Sequence, residues 1–137
     1  MSKPYVIAAV NVTAADTSED AECIRAQMVR EHVKAMHFNG RVCSEAEGNS
    51  LLDSPAGQHY AAMLDYYGAG TGEDVADYLR QFAHTAKADE LMLLVKGPTT
   101  ATNNHTLERI AHAWGLDSSD TAGDPTTWQR TAAGEKL

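Results

Sequence analysis

The residues best placed to do chemistry lie between a short apolar run, Leu91 to Val95, and a helical stretch further on: Lys96-Gly97-Pro98-Thr99-Thr100-Ala101-Thr102-Asn103-Asn104. A segment that leaves a strand and opens a helix points backbone amides outward, where they attract anions. The ammonium of Lys96, the hydroxyls of Thr99, Thr100 and Thr102, and the amides of Asn103 and Asn104 can together hold a phosphate or a carboxylate. The glycine spacing and the Lys-Ser/Thr pair of a P-loop are both missing, so a polar connection with an ordinary helix cap competes with the ligand reading. Gly68 to Gly72 superficially resembles a dinucleotide-binding turn. It is read instead as a flexible joint between two helices, because acids that would repel a pyrophosphate come directly after it.

A second constellation is electrostatic. The 137 residues carry a formal charge of −8. Residues 1–44 are balanced, whereas residues 45–90 hold nine acids against Arg80 and Lys87, a balance of −7. Such a surface repels phosphate backbones, so direct nucleic-acid binding is not expected. It suits a basic protein surface, including one on a complex that itself binds nucleic acid. Tyr60, Tyr66, Tyr67 and Tyr78 fall in the same third, and aromatics enrich protein interfaces. The docking face is expected to comprise Glu45, Glu47, Asp65, Tyr66, Glu73, Asp74 and Asp77. The competing reading is an acidic surface that only keeps a small protein in solution.

Other chemistries find little footing. The six histidines are His32, His37, His59, His84, His105 and His112. No pair has i,i+4 spacing with a suitable third ligand, so neither a metal site nor a cofactor is expected. No GxSxG elbow marks a nucleophile. The residues favour a non-enzymatic role, with catalysis left open. Cys23 and Cys43 are read as free thiols packed as small hydrophobes, since no export signal begins the chain. A cytoplasmic location follows from the same reasoning, as no apolar run approaches the ~20 residues that span a bilayer.

The elements that must position these groups follow from periodicity. Pro4 to Thr13 reads as a strand covered on both faces. A helix over about 17–38 follows, capped by Asp16 or Thr17, with an apolar stripe of Ala21, Ile24, Met28, Val29, Val33 and Met36 and a stop at Asn39-Gly40. Residues 41–44 read as a short strand and 45–53 as a loop. Ser54-Pro55 starts a second helix that carries Tyr60, Met63, Leu64 and Tyr67 on one face. A third helix covers about 73–87, with Val75, Tyr78, Leu79, Phe82 and Ala86 as its stripe. Leu91 to Val95 is a doubly covered strand. A fourth helix over about 105–114 is capped by Asn103 or Asn104.

The fold class is therefore α/β: a small sheet of three or more strands flanked by about four helices, in the order β-α-β-α-α-β-α. Residues 1–116 form one domain, and 117–137 a loosely ordered C-terminal tail anchored only at Trp128. Three strands make a thin sheet, which leaves room for an unrecognised strand or for a homo-oligomer that completes it.

Asn11-Val12-Thr13, Val29-Arg30-Glu31 within the first helix, and Leu93-Leu94-Val95 resemble small accessory proteins of phages and mobile elements. The likeness covers about half the chain, leaves out 45–90 and transfers no functional residue. It implies an accessory role, such as inhibition of a host defence complex by protein contact. Two expectations result. The leading one is a non-enzymatic acidic domain that docks on a basic surface of a nucleic-acid-binding complex. The alternative is a small-molecule or nucleotide binder, enzymatic or not, that uses the loop 96–104.

Overall fold

A computed structural model describes residues 2–116, so the expected tail at 117–137 lies outside the described residues. The chain is of mixed α/β class, with three parallel strands and five helices among the described residues. They are β1 (Ile7–Ala14), α1 (Ser18–Phe38), α2 (Glu45–Asp53), α3 (Pro55–Ala62), β2 (Tyr67–Gly70), α4 (Gly72–Ala86), β3 (Glu90–Val95) and α5 (Thr100–Trp114). No helix among them is long and apolar enough to cross a membrane.

The sheet runs β2-β1-β3, with β1 in the middle and both neighbours parallel to it. One face carries Val10, Val12 and Ala14, which pack against Val75 and Leu79 of α4 and Ile110 of α5. Leu91, Leu93 and Val95 of β3 extend that core. The opposite face presents Thr13 and Tyr67, and α1 lies over it with Arg25 stacked 5.5 Å from the Tyr67 ring. The amphipathic period of α4, read correctly from Val75 and Leu79, is what binds the layers together.

Four placements differ from expectation. Residues 41–43 form no strand; Val42 is fully exposed, and Ser44 instead caps α2. The stretch 45–53 is helical rather than a loop, because Ser44 and Glu47 close a reciprocal capping box that outweighs Gly48 and Asn49. The second helix ends at Ala62, and Tyr67 to Gly70 is the missing strand rather than a helix joint. Glycine is required there: a Cβ on Gly68 would stand 2.6 Å from the Tyr78 ring. Finally, α5 starts a turn early at Thr100, capped by Thr99 rather than by Asn103 or Asn104. Both cysteines are free thiols, but Cys23 is exposed and Cys43 half-buried, so neither fills the core as expected.

Candidate functional site

The strand order reverses at β1: one connection leads to β2 on one side, the next to β3 on the other. Loops leaving β1 and β3 therefore diverge, and a crevice opens at the carboxyl ends of the strands. The helices α1, α4 and α5 all begin at this end. Their first turns carry the positive ends of three helix dipoles.

The crevice is held by buried hydroxyls. Thr106, fully buried on α5, donates to the Ala14 carbonyl at 3.1 Å and accepts from the Ala14 amide at 3.2 Å, so the last residue of β1 is bolted to the helix. Thr13, also fully buried, donates to the Lys96 carbonyl at 2.5 Å and bonds the Tyr67 hydroxyl at 2.7 Å. All three strands meet in that chain of bonds. Burial pushes the Tyr67 phenol above its ordinary range, partly offset by the bond to Thr13.

Above this floor stand Asp16, His105 and Arg109. Asp16 Oδ1 lies 2.9 Å from His105 Nε2 and also accepts from the Arg109 guanidinium. Arg109 Nε reaches His105 Nε2 at 3.3 Å, so that nitrogen serves the carboxylate or the guanidinium according to its tautomer. The bond from His105, with help from Arg109, holds the Asp16 carboxyl below its usual pKa. A shallow cavity of about 470 Å³ adjoins the pair, lined by Ala15, Asp16, Asp20, Ile24, Ala101, Thr102 and His105. Across the crevice mouth, Asp74 accepts from Ser18 at 2.8 Å and from the Thr71 amide at 3.0 Å, and these bonds depress its pKa too.

The loop residues singled out from sequence meet here in part. Thr99 caps α5 by accepting from the Thr102 amide at 3.1 Å, and the two hydroxyls bond each other at 2.9 Å. The Asn103 amide oxygen is buried against Gly97 without a hydrogen-bond partner among the described residues. Thr100 and Asn104 are exposed on the first turns of α5. Lys96 continues the β1 ladder through its amide, 3.0 Å from the Val12 carbonyl. That continuation places its side chain on the face of Met92 and Leu94, away from α5.

The seven residues of the expected docking face are not gathered on one face. Glu45 and Glu47 open α2, beyond the C-terminal end of α1, and Glu47 is engaged in the capping box. Asp74 touches Ser18 at the other end of α1, and a helix of 21 residues spans roughly 31 Å. Asp65 and Tyr66 precede β2 at the amino end of the sheet, with the Tyr66 ring 5.5 Å from Phe82. Glu73 and Asp74 follow β2 at the other end, and Asp77, one turn on, pairs with Arg80 at 3.0 Å.

Sequence reasoning missed Asp16, His105, Arg109, Thr13 and Thr106 as a group. One signal was present: an acid two residues past the end of β1, and a His and an Arg four apart on the helix after β3.

No protein-family model matches the chain, and no curated protein matches it. Among solved structures it is similar to the crystal structure of apo-MsnO8, at a TM-score of 0.62 and 22% identity over 84% of this chain. That likeness establishes the fold alone. The chain spans only 36% of that protein's chain.

Proposed function

We propose that this chain is a small-molecule-binding α/β module whose site is the crevice at the carboxyl ends of β1 and β3. The observation that carries the reading is the convergence there of Asp16, from the loop after β1, with His105 and Arg109 of α5, beside the starts of three helices. The ligand class follows from the lining. Asp16, Asp20 and Thr102 suit a hydroxyl-bearing group, and the first turn of α5 suits an anion. A sugar phosphate or nucleotide combines both. In this reading Lys96 contributes only long-range charge.

A thermal-shift series with nucleotides, sugar phosphates and small carboxylic acids tests it. Ligand at one hundred times its Kd stabilises by about 2.7 kcal/mol, a readily measured rise in Tm. Asp16→Asn and His105→Ala should each abolish the rise, and Lys96→Ala should only reduce it. A panel in which no compound shifts the melting temperature rejects the proposal.

A second reading, docking on a basic protein, is favoured by one observation. Among the described residues Asp77 has Arg80 as an ion-pair partner, while Glu45, Asp65 and Glu73 have no basic partner within ion-pair distance. The carboxylates at the start of α4 would form the contact, and the chain would act in the cytoplasm. Its narrower form, a phage-borne inhibitor of a nucleic-acid-binding defence complex, rests on the short resemblances at 11–13, 29–31 and 93–95. Because Asp74 caps α4, the informative variant reverses Glu73 and Asp77 alone. If proteins captured from the native host bind this double lysine variant as well as wild type, the acidic reading falls.

A further inference from the structure

β3 is an outer strand, and no strand lies along its far edge among the described residues. The amides of Glu90 and Lys96 turn inward, to the carbonyls of Val6 and Val12 at 3.2 and 3.0 Å. In a parallel ladder alternate residues spend both backbone groups on one side, so Leu91, Leu93 and Val95 turn their N–H and C=O groups outward. An open edge of this kind is a template for another strand.

The edge is complementary to itself. Set antiparallel about a two-fold axis at Leu93, β3 places Leu93 opposite Leu93, Leu91 opposite Val95 and Met92 opposite Leu94. The three outward-facing residues of one copy meet those of the other as hydrogen-bonded pairs. The same register sets Glu90 against Lys96, twice by symmetry. A slip of two residues puts Glu90 opposite Leu94 or Pro98 and loses both ion pairs. The surroundings are apolar, as an interface core requires. Met92 and Leu94 are 56% and 44% exposed on one face of the strand. On the other face a groove of about 460 Å³ runs beside Leu91, Leu93, Leu107, Ile110 and Trp114. Leu107 and Trp114 are 46% and 42% exposed. Pairing at the edge would bring each copy's groove, with its partly exposed Leu107 and Trp114, toward the two-fold axis.

We propose that the chain associates with a second copy through β3, so that one sheet runs through both. Sedimentation equilibrium of the full chain, without added ligand, should show a monomer–dimer equilibrium. Glu90→Lys and Lys96→Glu each set like charges opposite one another twice, and each should weaken association roughly tenfold or more. The double variant Glu90→Lys/Lys96→Glu restores the pairs in reverse and should recover wild-type affinity. Glu90 is exposed, and its side-chain bond is to the exposed Tyr5 hydroxyl, so circular dichroism should show folded variants. A chain that stays monomeric throughout the concentration series overturns the proposal. So does a dimer indifferent to both single reversals, or one that the double variant fails to restore.

Discussion

Thr106 shows how much of the crevice depends on one side chain. Its hydroxyl serves both the amide and the carbonyl of Ala14, and the whole group is sealed from water. Thr106→Val preserves shape and removes both bonds. The cost is the desolvation of two unpaired backbone groups, about 1–3 kcal/mol for each. Urea denaturation should show that loss, and the variant should also loosen His105, its chain neighbour, against Asp16. Nothing in the sequence distinguishes Thr106 from the many other threonines. Its role exists only because the end of β1 runs beneath α5, and that proximity is created by the sheet order.

The elements were legible where one strong local signal decided them. Thr17 before Glu19 and Asp20, Ser54 before Pro55, and the stripe from Val75 to Phe82 all specify their helices within the chain segment itself. Tyr67 to Gly70 was not legible, because no β-favouring pattern marks it; the strand is set by burial between α1 and α4 and by pairing with Asn11 to Ala14. The candidate site was half legible for the same reason. The loop after β3 announced itself, while Asp16, His105 and Arg109 are ordinary polar residues until α5 docks. Helix starts also set the response to acid. Asp16 and Asp74 tie together the beginnings of α1, α4 and α5, and both have carboxyls lowered from the ordinary 3.8. A depressed folded value means that their stabilisation is complete above the unfolded pKa and is lost as pH falls through the folded one. The urea midpoint should therefore drop on the acid side of 3.8. Asp16→Asn/Asp74→Asn should start lower at neutral pH and show a shallower acid decline.

At the scale of the whole molecule, the structure redistributes what composition had suggested. The negative charge of the middle third is real, yet α1 stands between its two ends like a strut. The sheet is thin, as its element count implied, and its thinness is concentrated on one side. Among the described residues both β2 and β3 are outer strands, but the faces of β2 lie between Tyr78 of α4 and Arg25 of α1, whereas those of β3 are partly bare.

The central position of β1 has a kinetic consequence. β1 is synthesised before both of its partners, Tyr67–Gly70 and Glu90–Val95, so each of these pairings is distant along the chain. Until β3 and then α5 have been synthesised, Val10 and Val12 have no complete shelter, and β1 has only the short β2 to pair with. Folding is therefore deferred to nearly the end of the described segment, and a translation product ending before Glu90 would present its most apolar strand to chaperones and proteases.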